Sequence, residues 1–588
     1  MADLLGLVEF GPSPVLQKDR ASRALACWPA SAARREVVYE HIFLAGISLN
    51  SEDRFTLTDE CNRKCTCGWT RMISPDAIKN ALAHRNILRD MPPPFAGCLF
   101  NHNDQTFYLI TDPYGLQPVY YGHTATILYF STKLFPLFAC SHASTTLDPR
   151  GVADLLTYEH TTGDRTLFAD IQVVPPGTVL EYRGGTRRME RYYVLECGDS
   201  REKTSLRDAA HELAAGLHTA VAKATSGHSR IAITLSGGLD SRALLGSAMA
   251  VGRQPVTYTF GSEKCRDRRY AAALSRQVGV RHVAVESDGT HLNRRFDQAL
   301  FQTGANVSCI HYHILTLADA LAETADVVLD GLGGDALTGA HIKWWMTGEK
   351  DAEKVIRTLF SLRATAFREL KEHADLFAPE LRDNPDYEAS QAIREHFIRR
   401  GARPLWSGAH RFDLLERQRR FIQYGPHLLR ASVPVKTPFY GSEFVRTALQ
   451  MPLSYLRGQR AYLEAHRCVW RNLAAVPDST RGVPLTAPLI VRRAKLLADA
   501  ALGRVGRRLG LRGWSGGPAD YDRWIVGAYG RRLKEEIEAG LPFIESVFQP
   551  KYLKGMLHDQ RSMMRYSASQ LSALATVCAA ARTASGVS

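Results

Sequence analysis

The 588-residue chain lacks any apolar run of about 18 residues or more, so no membrane-spanning helix is expected. Its start, MADLLGLVEFGP, has neither a basic region nor a cleavage-like site, which argues against a secretory signal. The 11 cysteines are odd in number and scattered, which argues against a disulfide framework and for reduced thiols in the cytoplasm. One cluster, Cys61, Cys65 and Cys67, would need a fourth zinc ligand such as His84. It lacks the two-residue gap and second matched pair of structural zinc sites, so chance thiols are the better reading. A Gly-Lys-Ser/Thr phosphate loop is missing, and no aromatic platform or nucleic-acid motif accompanies the basic residues. Nucleic acid is therefore not an expected partner. What the chain has in excess is positive charge, +14 net, partly gathered between Arg481 and Arg512. There Leu496, Leu497, Leu502, Val505 and Leu509 recur at helical spacing, the pattern of a solvated helix with one apolar face. Docking of an acidic peptide is the sharper reading of that stretch, and an anionic membrane surface the weaker one.

The chemistry starts at Leu235-Ser236-Gly237-Gly238-Leu239-Asp240-Ser241-Arg242, directly after the β-branched run Ile231-Ala232-Ile233-Thr234. This reads as strand, tight turn and helix start. The glycines let backbone fold close around a bound group, and the N–H groups of a helix N-terminus favour anions. Ser236 and Ser241 add hydroxyls, and Asp240 adds a carboxylate suited to Mg²⁺ against phosphates. A second stretch, Val327-Val328-Leu329-Asp330-Gly331-Leu332-Gly333-Gly334-Asp335, runs another apolar strand into a glycine-rich turn with an acid at its tip. Around both, strands at 231–234, 256–261 and 282–285 alternate with helical stretches at 209–224, 243–251 and 267–279. That alternation predicts a doubly wound parallel sheet with ligands at strand carboxyl ends. The first two hundred residues differ. Short apolar runs at 99–100, 107–110, 119–121 and 127–130, split by turn residues, predict a sheet-rich domain.

The LSGGLDSR stretch resembles the pyrophosphate-binding loop of ATP pyrophosphatases, which split ATP into AMP and pyrophosphate. Phe95 to Phe100, Thr111 to Gly122, Tyr129 to Lys133, and Val174-Pro175-Pro176-Gly177-Thr178 resemble asparagine synthetases. The likeness continues through Asp335, His427 to Arg430, Val435 to Tyr440 and Tyr462 to Pro477, and fades over the last hundred residues. It implies an N-terminal-nucleophile-hydrolase-like sandwich over residues 1–200. Residues 205–588 are then a PP-loop synthetase domain, helical and basic towards its end. It also implies ATP and Mg²⁺ as cofactors, with Asp240 and Asp335 as catalytic and metal-binding carboxylates on opposite lips of the site. The nucleotide would be held by Leu235, Ser236, Gly237, Gly238, Leu239, Asp240, Ser241, Phe260 and Gly331, with adenosine against Leu235 and Phe260.

Three family features are missing. The nucleophilic cysteine that follows the initiator methionine is Ala2 here, and an alanine cannot attack a carboxamide. The glutamate of the second motif is Leu332, which moves no proton. The pyrophosphate-binding lysine is absent from Ser479-Thr480-Arg481-Gly482-Val483, where Arg481 offers a charge of different geometry. Relatives that lost the cysteine include β-lactam synthetases and the cyclases that close lasso-peptide macrolactams. The resemblance therefore implies an AMP-forming amide ligase, lasso cyclisation being its leading specialised case. A precursor peptide and its processing protease are then the expected partners, and a homo-oligomer is compatible. Asparagine synthesis from ammonia or glutamine, and a non-catalytic nucleotide-binding scaffold, are the alternatives.

Overall fold

A computed structural model describes residues 2–9, 18–39, 42–48, 56–60, 65–70, 75–140, 143–197, 204–368, 370–373, 375–383, 389–400, 404–479, 482–488, 490–491, 494–495, 498, 519–563 and 565–587. Strands β1 (Asp3–Glu9), β2 (Ala33–Tyr39), β3 (Ile42–Ser48), β4 (Thr56–Glu60), β5 (Cys65–Trp69), β6 (Ala96–Asn101), β7 (Thr106–Thr111), β8 (Tyr120–His123), β9 (Ile127–Ser131), β10 (Gln172–Val173), β11 (Thr178–Arg183) and β12 (Thr186–Arg191) form two six-stranded sheets. Their orders are β10-β8-β9-β1-β3-β2 and β12-β11-β7-β6-β5-β4, and every pairing is antiparallel. Period-two alternation fills the space between them. Ile42, Leu44, Leu128 and Phe130 from one sheet meet Cys98, Phe100, Phe107 and Leu109 from the other, with the Phe107 and Phe130 rings 5.2 Å apart.

The second half is built on β13 (Ile231–Thr234), β14 (Val256–Gly261), β15 (His282–Glu286), β16 (Val327–Leu329) and β17 (Val435–Lys436). The order is β15-β14-β13-β16-β17, and all four pairings are parallel. Successive strands run outward from β13 to β15 on one side. On the other side, β16 and β17 run the opposite way. Neighbouring β13 and β16 are thus the topological switch point, and their carboxyl ends open a crevice.

Strand β1 is buried on both faces, because the second face of its sheet meets the half built on the parallel sheet. All seven residues of β1 are buried. The contact carries polar pairs as well: Tyr120 and Tyr424 share a hydroxyl–hydroxyl bond of 3.3 Å, and Asn306 Nδ2 donates to Tyr120 Oη at 3.1 Å. Two helices of the part expected to be helical, Ala528–Gly540 and the alanine-rich Ala568–Val587, complete that shared core. Cys67 is fully buried on β5, whereas His84 is exposed at the start of the helix Arg85–Asp90; Cys61 lies outside the described residues. Among the described residues no group of three or more His, Cys, Asp or Glu side chains could hold a metal ion. No helix there is long and apolar enough to cross a membrane. Most of the basic stretch from Arg481 to Arg512, Arg481 included, lies outside the described residues.

Candidate active site

β13 ends at Thr234, and the chain turns through Leu235 to Gly238 into the helix Leu239–Ala250. Gly237 takes φ 75°, a left-handed conformation that a side chain would strain. Ser236 N–H donates to Ser241 Oγ at 3.2 Å, and the two seryl oxygens lie 3.3 Å apart. Gly238 caps the helix without any side-chain cap bond, so the first turn presents uncapped N–H groups.

β16 leads into Asp330 and Gly331, followed by the short helix Gly334–Leu337, so Asp335 stands inside a helical turn rather than at a loop tip. The two motifs touch. Asp335 N–H donates to Asp240 Oδ2 at 2.9 Å, and Tyr462 Oη donates to Oδ1 at 3.0 Å. The two acids are therefore neighbours, not opposite lips as expected. Glycine makes that approach feasible: a Cβ on Gly334 would lie 2.6 Å from Asp240 Cγ, and one on Gly331 3.1 Å from its Cβ. Burial, reinforced by the charge of Asp335, raises the Asp240 carboxyl well above its ordinary range. Asp335 is 43% exposed, and His341 Nε2 is 3.8 Å from its Oδ2. Burial pushes that imidazole down to about 4 against the pull of Asp335.

A cleft of about 630 Å³ opens over these loops. Leu235, Ser236, Gly238, Leu239, Asp240, Ser241, Phe260, Gly331 and Asp335 all line it. Gly237 does not. Its carbonyl instead accepts from Arg242 Nη2 at 3.1 Å and from Ser479 N–H at 3.3 Å, facing the carboxyl-terminal segment. Leu332 is on the cleft wall and 4% exposed; its N–H donates to Asp330 Oδ1 at 2.9 Å. Leu235 N–H is spent on Tyr258 O, so its contribution to the cleft is apolar.

Several residues escaped the sequence reading. Arg242 is fully buried and donates to the carbonyls of Leu473 and Val476, both at 2.6 Å, and of Pro477 at 3.0 Å. It fastens residues 473–479 around the loop. Tyr462 sits in a stretch whose likeness was visible but whose contact with Asp240 was not. Arg417 and Gln418 enter the cleft from a π-helical stretch, Asp413–Ile422, and Asp267, Gln459 and Asp478 complete its wall. Arg417 is the sole cation among the described cleft-lining residues, beside five aspartates. No sequence signal marks it, because it comes from a helix face remote from both motifs.

Comparison with known proteins agrees with this architecture. Residues 212–479 match the asparagine synthase family, and residues 83–193 match the glutamine amidotransferase domain family. No curated protein matches the chain. Among solved structures, the allosteric regulatory enzyme of purine biosynthesis is 10% identical, with 48% of this chain and 80% of that one covered and a TM-score of 0.23. Glutamine phosphoribosylpyrophosphate amidotransferase from B. subtilis, complexed with ADP and GMP, is 10% identical over 48% and 81%, with a TM-score of 0.21. Overlaps that low bear no weight on the site. The domain composition matches that of ATP-using carbon–nitrogen ligases, and the chain has the asparagine-synthetase-family architecture: an amidotransferase-like domain followed by a PP-loop synthase domain.

Proposed function

We propose that this cleft adenylates a carboxylate and passes the acyl group to an amine, giving an amide, AMP and pyrophosphate. The observation that carries the reading is the junction of Asp240 with the Asp335 segment at the sheet's switch point, inside a cleft of nucleotide size. The uncapped first turn of the helix Leu239–Ala250 and the hydroxyls of Ser236 and Ser241 would bind the β- and γ-phosphates. Phe260 and Leu235 would hold the adenosine. Arg417 would draw in the triphosphate and steady the leaving pyrophosphate, supplying charge that the missing lysine does not.

The donor set suits a hard divalent cation: the carboxylates of Asp240, buried on the cleft wall, and Asp335, partly exposed there, with phosphate oxygens to complete a shell. Asp240 and Asp335 would hold Mg²⁺, which when bound neutralises charge on the phosphates.

Asparagine synthesis from aspartate, with ammonia or glutamine as donor, is the reading the family match favours. Ala2 favours a second reading. It is 1% exposed beside β1 and carries no nucleophile, so a substrate bringing its own amine, such as a peptide closed to a lasso macrolactam, fits equally. ATP–pyrophosphate exchange tests both. Exchange should appear with L-aspartate, or with a linear peptide bearing a side-chain acid and a free amino terminus. Absence of exchange and of AMP release with either would leave only a nucleotide-binding scaffold.

A further inference from the structure

Gln459 is on the cleft wall, at the head of the helix Arg460–Cys468, with φ 58° and ψ 37°. A residue other than glycine persists in that left-handed conformation only if its surroundings hold it. They do: its N–H donates to Leu456 O at 2.8 Å, and its carbonyl accepts from Leu463 N–H at 2.8 Å. The residue is 8% exposed. Its Nε2 donates to Thr338 Oγ1 at 3.1 Å and reaches the carbonyl of Asp335 at 3.5 Å. Thr338 spends its own hydrogen on Gly334 O at 2.7 Å, so its hydroxyl accepts from Gln459. A carbonyl oxygen also only accepts, so both partners demand the NH₂ end of the amide. The orientation is therefore fixed: Nε2 faces the second motif and Oε1 faces away from it. Among the described residues Oε1 has no hydrogen-bond partner. One turn along the same helix, Tyr462 Oη donates to Asp240. The start of this helix thus braces both motifs and leaves one amide oxygen for the cleft.

We propose that Gln459 holds the acceptor amine, its Oε1 accepting one N–H hydrogen while the nitrogen lone pair stays free for the acyl carbon. The proposal rests on the adenylation reading and deepens it. An amide oxygen carries lone pairs and no hydrogen, so it repels phosphate and pairs only with donors. It is also neutral. The five aspartates of the described wall compete for the proton of an amine, whereas Gln459 binds the N–H and leaves the proton where it is. The backbone agrees with such a role, since glycine would occupy φ 58° without strain and the position carries a long amide instead. In the transfer step the amine nitrogen bonds to the carbonyl carbon of the acyl adenylate. The bond from that carbon to the phosphate oxygen breaks, and AMP leaves with the electron pair. The proton that nitrogen sheds has the carboxylates of the second motif, Asp330 and Asp335, on the same wall to receive it.

The test uses the full chain with Mg·ATP and whichever carboxylate, L-aspartate or the linear peptide, supports exchange. Hydroxylamine serves as the acceptor amine, its product read as the hydroxamate. Glycine at position 459 relieves the backbone and removes the amide, so it separates a structural role from a binding one. Gln459→Gly should keep or raise the thermal midpoint. It should also hold ATP–pyrophosphate exchange and its KM for ATP within ~3-fold, while the KM for hydroxylamine rises ~30-fold or more. Gln459→Asn tolerates the left-handed backbone and draws the amide back by one methylene. It should shift in the same direction, which guards against an effect of glycine on the turn alone. An unchanged KM for hydroxylamine would make Gln459 a brace and nothing more. An equal loss in exchange, or a matching rise in the KM for ATP, would put the amide on the nucleotide or its metal. Either result would overturn the proposal. Failure of exchange in the unsubstituted protein would instead remove the adenylation reading, and this proposal with it.

Discussion

Asp335 N–H donates to Asp240 Oδ2 across 2.9 Å, joining two motifs that lie 95 residues apart. The same carboxylate accepts from Tyr462, so it serves as a structural clasp as well as a charge. Asp240→Asn can keep its oxygen on Asp335 N–H and donate its amide to Tyr462 Oη, so it should leave the thermal midpoint nearly unchanged while lowering exchange ~100-fold or more. Asp240→Ala also strands a buried hydroxyl and should cost about 1–3 kcal/mol of stability. Undiminished AMP formation by either variant would remove this loop from the mechanism.

Arg242 reaches four carbonyls from a fully buried position. Arg242→Ala leaves those oxygens without their donor and should cost about 3 kcal/mol or more. The loss should appear in denaturant midpoints and as weaker ATP binding, since residues 473–479 are released from the loop. A midpoint equal to that of the unsubstituted protein would contradict the clasp.

Arg417 is the only cation among five aspartates on the described cleft wall. Replacing it with Gln should weaken ATP binding by roughly 10-fold or more in calorimetry, consistent with loss of a charge-assisted contact to phosphate. Equal affinities would assign phosphate charge entirely to other groups.

Glu416 links the π-helical stretch to the sandwich side: Gly163 N–H donates to its Oε2 at 2.7 Å, and Arg419 Nη2 donates to Gly163 O at 2.7 Å. Burial would raise this carboxyl, yet bonds from His396 and Gly163 and the Arg419 charge hold it down to about 2 from 4.5. A depressed carboxylate gives stability that is full above its unfolded value and is lost as pH falls through its folded one. The contribution, on the order of 3 kcal/mol by linkage, should therefore fade between pH ~4.5 and ~2. Urea midpoints of Glu416→Gln should be lower at pH 7 and converge on those of the unsubstituted protein at the acid end. Parallel curves would refute the assignment.

Ala2→Cys should release no glutamate from glutamine above background. The position is 1% exposed next to a strand whose Asp3 is bound by Trp28 Nε1 at 3.1 Å and Thr132 Oγ1 at 3.0 Å. A thiol alone supplies neither glutamine-holding groups nor space. Measurable glutaminase activity would show the amidotransferase-like domain to be one residue from function.

Local pattern made much of this legible. The strands at 231–234, 256–261 and 327–329, and the helices that follow the first two, are short-range consequences of β-branched runs, glycine turns and helical periodicity. The same holds for the antiparallel hairpins near residues 96–131. The helix Ala568–Val587 was legible only as part of a stretch expected to be helical, because its alanine-rich face has little amphipathic contrast and is ordered by burial against distant helices.

By itself the sequence determined the loop after Thr234 and the glycine-rich turn after Leu329, since each depends on residue type and nearest neighbours. The tertiary structure alone decided what those segments meet. Only folding puts Asp335 against Asp240 instead of across from it and turns Gly237 away from the cleft towards Arg242. Contacts of that span depend on how the sheet order and the domain junction close long loops, and no local pattern encodes them.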